Sequence, residues 1–286
     1  MHVNAMNALL TAPRYAFEQL PREGSSQSLY FIIDRGRQPE AISILYRVGE
    51  PMNTQPLFGN TDLAELASEG PLWLVAPWGS RLAAEAARLC AENGAGIALT
   101  AEDPAQALAH ARWLLKANDG SGGQSLLSYH KASLWAALVY TAGDTANQLF
   151  GPWQNVYSPA PRNFGPQNGH WLAWSADTQQ PWNADGPAFN LPADTARVQA
   201  RLGWVYWVDE QYAAFGEPED ERLPDITENL DVLLEHQIYE GRHLLKLAPV
   251  VNGPLFKTRP QAMTVLQSKE ESFIKVEQLQ QLASDA

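Results

Sequence analysis

The chain carries a single cysteine, Cys90, in 286 residues. A lone cysteine excludes an internal disulfide framework and cannot by itself build a thiolate metal cage. No apolar run approaches the roughly 20 residues that a bilayer-spanning helix needs. Residues 1–20 lack the cationic head and apolar stretch of a secretory signal, so the expected location is cytoplasmic, with no membrane contact. Cations are also scarce. Twenty Lys and Arg stand against 32 Asp and Glu, for a formal net charge of −12. Phosphate backbones are held through cations, so nucleic-acid binding is not expected.

Catalytic signatures are missing as well. Gly120-Ser121-Gly122-Gly123 lacks the Gly-Lys-Ser/Thr ending of a phosphate loop and falls between a helix and a strand, the reverse of the required order, so it reads as a connector. No spaced-glycine dinucleotide fingerprint follows a candidate strand, and no Gly-x-Ser-x-Gly elbow occurs. The six histidines form no His-Glu-x-x-His pair. Cys90 lies on the apolar side of an alanine-rich helix, where a thiol packs as a small hydrophobe. Asp34, at the end of an apolar run, reads as the cap of the turn at Arg35-Gly36, although strand ends in α/β proteins also carry functional groups. The expectation is a protein without catalytic activity, cofactor or metal.

What is present is an alternation of short apolar runs and helical patterns. Residues 29–33 (LYFII), 72–76 (LWLVA), 96–99 (GIAL) and 125–129 read as strands. Helices are expected at 41–48, after Ser80, after Asp103-Pro104 and at 131–140, with Ser80 as a cap whose side chain can accept a free amide and proline at the first turn after Asp103. This order predicts a layered amino-terminal α/β lobe with a parallel or mixed sheet. Prolines break up residues 150–192, where 170–175 (HWLAWS) is the best strand. Beyond them the pattern turns helical: 194–208, 226–241, and a last helix opened by Ser268-Lys269-Glu270-Glu271 as a capping box. Two domains follow, an α/β lobe over residues 1–190 and a smaller, mainly helical lobe over 191–286.

The second lobe concentrates acidic charge and carries two of the ten tryptophans. Residues 209–240 hold eleven acidic residues and one arginine, Arg222. This is either a solvated surface or an electrostatic face for a basic partner. Trp204 and Trp207 share a helical face, which suits core packing or a binding anchor.

The first half resembles a family of adaptors, or chaperones, that load effectors onto the spike of the bacterial type VI secretion system. The resemblance rests on Tyr30-Phe31-Ile32-Ile33-Asp34, on Leu57-Phe58-Gly59-Asn60-Thr61, and on 66–74 with its Gly70-Pro71 step. It continues through His110-Ala111-Arg112-Trp113-Leu114-Leu115, Leu149-Phe150-Gly151-Pro152, Val156-Tyr157 and Trp171. Where that family has an Arg-aromatic-aromatic-Asp-Pro-Arg segment, Leu127-Ser128-Tyr129-His130-Lys131-Ala132 stands here. The resemblance implies a non-catalytic adaptor whose partners are an effector toxin and the spike protein VgrG. On that reading Trp204, Tyr206, Trp207 and Tyr212 line a groove for the client, and the acidic stretch, including Asp209 and Glu210, selects it. The alternatives are an immunity protein that turns its acidic face on a basic toxin, and an α/β enzyme with an unrecognised motif.

Overall fold

Capping side chains and left-handed turn residues divide the chain into its elements. The computed structural model describes residues 4–22, 27–176, 182–183 and 186–284. The chain divides into two units, Met1–Arg162 with Pro166–Leu202, and Asn163–Gly165 with Gly203–Ala286. The division falls twelve residues beyond the 190/191 junction expected from the sequence.

The first unit begins with α1 (Ala5–Thr11), β1 (Ser28–Ile33), α2 (Ala41–Tyr46), β2 (Asn53–Pro56) and β3 (Leu72–Pro77). Ser80 caps α3 (Arg81–Ala91), its Oγ accepting the Ala83 amide at 3.0 Å. Asn93 and Gly94, with φ of 58° and 56°, turn the chain out of that helix. β4 (Gly96–Ala101) follows, and Asp103 caps α4 (Pro104–Trp113) through the amides of Ala105 and Gln106. The tract 120–123 is the turn of a hairpin between β5 (Lys116–Asn118) and β6 (Gln124–Leu126). Then come α5 (Ala132–Ala142), α6 (Ala146–Phe150), β7 (Trp153–Pro159), β8 (Trp171–Ser175) and β9 (Phe189–Asn190). The two units share α7 (Thr195–Glu210), within which the division falls.

Six strands form one sheet in the order β2-β3-β1-β4-β7-β8, and every neighbouring pair in it is antiparallel. The layered α/β arrangement stands, but the strand directions correct the expected parallel or mixed sheet. The β3-α3-β4 unit does place its two strands in the same direction, as its spacing predicts. β1 inserts between them, antiparallel to both, with Phe31 opposite Leu74 on one side and Ala98 on the other. This is a split βαβ arrangement. The continuous apolar runs record burial on both faces, which suits a parallel sheet but equally an antiparallel sheet covered on both sides. Mixed pairing occurs only in the small sheet β6-β5-β9, where β5 and β9 are parallel.

One face of the large sheet packs Phe31, Ile33, Leu74 and Tyr157 against Leu82, Ala86, Leu89 and Cys90 of α3. The other carries α4 and α5. The register slips between Thr100 and Ala101, so Trp153 pairs with Ala101 and faces away from Tyr157. Trp153 Nε1 donates to Ala107 O of α4 at 3.1 Å, and its ring lies 5.9 Å from Trp135 of α5.

The second unit is helical: α8 (Leu223–Glu235), α9 (Gly241–Lys246), α10 (Ala248–Val251), α11 (Pro260–Gln267) and α12 (Ser272–Ser284). Gln237, in the left-handed region at φ 65°, ends the helix expected to run to 241. Asn229 is fully buried and stitches the unit, donating to Val251 O at 2.9 Å and accepting the Phe256 amide at 2.7 Å. The predicted capping box does not form. Ser268 terminates α11, and its Oγ accepts the Glu270 amide at 3.4 Å, while α12 starts four residues later.

Candidate functional site

The carboxy-terminal half of α7 presents its tryptophans beside α8. Trp204 and Trp207 sit three residues apart, so their rings meet along the helix surface, at 5.5 Å and 70°. Trp207 also meets buried Phe215 edge-on at 5.5 Å. Trp204 Nε1 donates to Asp231 Oδ1 of α8 at 2.7 Å. Both tryptophans are half-buried.

Around Asp231 the acidic residues of α8 recur at helical spacing. Asp225, Glu228, Asp231 and Glu235 are three, three and four residues apart, which places them on one stripe. Arg222 pairs with Asp225 at 2.9 Å and Lys257 with Glu228 at 2.9 Å, and the hydrogen bond to Glu228 chiefly, then the charges of Glu228, Glu235 and Asp231, raises the Lys257 ammonium above its ordinary value. Half-buried indoles beside Asp231 and Glu235, the two stripe carboxylates without an ion pair among the described residues, suit a segment that is both apolar and cationic. The ring faces attract Lys or Arg, and the carboxylates add charge attraction.

The other residues singled out from the sequence divide between roles. Tyr206 is half-buried, and two residues from Trp204 is about 200° around a helix, so it belongs to a different side of α7. The Asp209 carboxylate accepts the Asn163 amide at 2.7 Å and the Asn163 Nδ2 at 3.1 Å, which ties residues 163–165 to the unit. Tyr212 packs edge-on against buried Phe164 of that tether at 5.5 Å, and Asp220 accepts the Gly165 amide at 2.9 Å. Glu210 is exposed at the end of α7. Thus the structure joins Trp204, Trp207 and Asp231, and separately Asp209 with Tyr212. Asp231 and Phe215 were missed from the sequence. The stripe spacing pointed to Asp231, whereas nothing local singled out Phe215.

In the first unit Asp34 caps its own turn, accepting the amides of Gly36 (2.9 Å) and Arg37 (3.4 Å). It also faces buried His130, with Nε2 3.6 Å from Oδ2, longer than a good hydrogen bond. The His130 imidazole chiefly, then the two amides, hold the Asp34 carboxyl down at about 2 against its desolvation. His110 is wholly buried among Trp113, Trp153 and Trp182, and burial lowers its pKa to about 4 despite the contact of Nε2 with Leu149 O at 3.0 Å. Burial pushes the Cys90 thiol far up. Among the described residues no group of three or more His, Cys, Asp or Glu could hold a metal ion. No helix among them is long and apolar enough to cross a membrane.

Residues 29–149 match the family model described as "Domain of unknown function (DUF4123)". No curated protein and no solved structure matches the chain. The DUF4123 segment is less than half of the sequence and ends before the tryptophan face begins. Several residues within the matched segment have architectural work. Arg112 Nε donates to Leu57 O and its Nη2 to Gln55 Oε1, both at 3.2 Å. Arg35 Nε donates to Gly70 O at 2.7 Å, and its Nη2 donates to Ala67 O. Gly70 leaves room for Phe58, since a Cβ there would lie 2.3 Å from that ring. These contacts pin the connection between β2 and β3 within the matched segment.

Proposed function

We propose that the protein is a non-catalytic adaptor that holds a type VI secretion effector on the tryptophan and carboxylate face of its second unit and brings it to the VgrG spike. The observation that carries the reading is the half-buried Trp204–Trp207 pair hydrogen-bonded to Asp231 within an acidic stripe. Aromatic anchors of this kind dominate binding energy at protein interfaces, and rim charges set selectivity and on-rate. The DUF4123 match over residues 29–149 and the ordered motifs of the first half support the family side of the reading. A basic amphipathic segment preceding the toxin domain is the expected ligand.

The test is titration of the effector's leading segment into the full chain and into the Trp204→Ala/Trp207→Ala variant, with circular dichroism to establish folding. A loss of at least about tenfold in affinity, equivalent to about 1.4 kcal/mol, is expected. Unchanged affinity in a folded variant rejects the face. The acidic stripe also favours a second reading, an immunity protein for a basic toxin. That reading requires binding to the toxin's active domain instead of its leading segment.

A further inference from the structure

The second unit contains an apolar groove of about 570 Å³ between the α10 region, the start of α11 and the end of α12. Val250, Ala262, Leu279 and Leu282 line it. Arg259 is the charged residue in its lining. That guanidinium is half-buried over the Phe256 ring, 4.4 Å from its centroid, and Nη2 donates to Val250 O at 3.1 Å. Nε is buried without an acceptor, and among the described residues Arg259 has no carboxylate partner. Burial lowers its pKa from the ordinary value.

A half-desolvated cation without a counter-charge is an expensive feature, and here it sits in a unit otherwise crowded with carboxylates. Arg259 is also the residue from which α11 starts, and no side chain caps that start, so the helix end adds partial positive charge at the same spot. The groove is therefore complementary to an apolar chain with one negative end. Its mouth is open, since Pro249, Pro254, Pro260, Gln261 and Ala283 are exposed, while Val250, Ala262 and Leu279 form a buried floor. An open groove with a cation in its lining suits a polypeptide end better than a bare acyl chain, which gains most from enclosure.

We propose that this groove captures the carboxy-terminal end of a partner polypeptide, with the last apolar side chains between α10 and α12 and the α-carboxylate on Arg259 Nη1. This is a second surface, and it does not rest on the reading of the tryptophan face.

The experiment is calorimetric titration of the full chain with three probes: an acetylated leucine-valine-leucine peptide with a free carboxylate, the same peptide amidated, and decanoate. The free acid is expected to bind at least tenfold more tightly than the amide, and Arg259→Gln to erase that difference. Because Arg259 also bonds Val250 O, a second variant, Ala283→Trp, fills the groove from an exposed position and is expected to abolish binding while leaving the circular dichroism unchanged. Equal binding of acid and amide, no binding of either, binding that survives Ala283→Trp, or decanoate binding as tightly as the peptide acid would each overturn the proposal.

Discussion

Asp34 and His130 lie 96 positions apart in sequence, and their contact makes a sharp prediction for the first unit. The Asp34 carboxyl has an ordinary pKa of 3.8 and is held at about 2 in the folded chain, with the His130 imidazole as the largest cause and the Gly36 and Arg37 amides behind it. Each pKa unit corresponds to about 1.4 kcal/mol, so ionised Asp34 favours the folded state by about 2 kcal/mol. The folded value lies below the unfolded one. The stabilisation is therefore present above the unfolded value and is lost as pH falls from 3.8 towards about 2. Asp34→Asn removes the charge but keeps an acceptor for the Gly36 amide, so it is expected to cost about 2 kcal/mol or somewhat less at neutral pH. Hydrogen exchange of the β1 amides reports this unit alone, and the gap between variant and parent should close through the same acidic window. In parallel, the Asp34 carboxyl carbon followed by NMR should titrate near 2 in the parent and move up in His130→Gln. A carboxyl that titrates in the ordinary range, or does not respond to His130→Gln, refutes the coupling.

Gly96→Ala should prevent stable folding of the first unit. The added Cβ would stand 2.3 Å from Ile32 O and 2.8 Å from Cys90 Sγ, between a strand and its covering helix, and thermal melting checks it. Cys90 is fully buried with its thiol pushed up, so iodoacetamide should leave it unmodified in the native chain and alkylate it in denaturant, as intact mass shows. Asn229→Ala leaves Val251 O and the Phe256 amide without their buried partner and should destabilise the second unit by roughly 3 kcal/mol in urea unfolding.

Local chemistry was readable and non-local pairing was not. Ser80, Asp103 and the Asn93-Gly94 exit act as their residue types require, because a cap needs only its own next three amides. β7 went unread because it lies in the proline-broken stretch after Gly151-Pro152, and its periodicity is interrupted by the slip that turns Trp153 to the opposite face from Tyr157. The insertion of β1 between β3 and β4 is a long-range choice that no window of the sequence contains. Ser268 to Glu271 has the composition of a capping box but terminates one helix instead of opening the next, since α11 uses Ser268 first. At the tryptophan face, the three-residue spacing placed Trp204 and Trp207 together. It could not show that Asp209 and Tyr212 are engaged by the tether at 163–165, which the sequence puts some 46 residues away.

The adaptor reading is tested most directly by purifying the tagged full chain from its source bacterium and identifying by mass spectrometry what accompanies it in stoichiometric amount. The account predicts a toxin together with a VgrG spike protein, and loss of the toxin from the Trp204→Ala/Trp207→Ala variant. Recovery of a small basic toxin without a spike protein, or of the same toxin in undiminished amount with the variant, would contradict it.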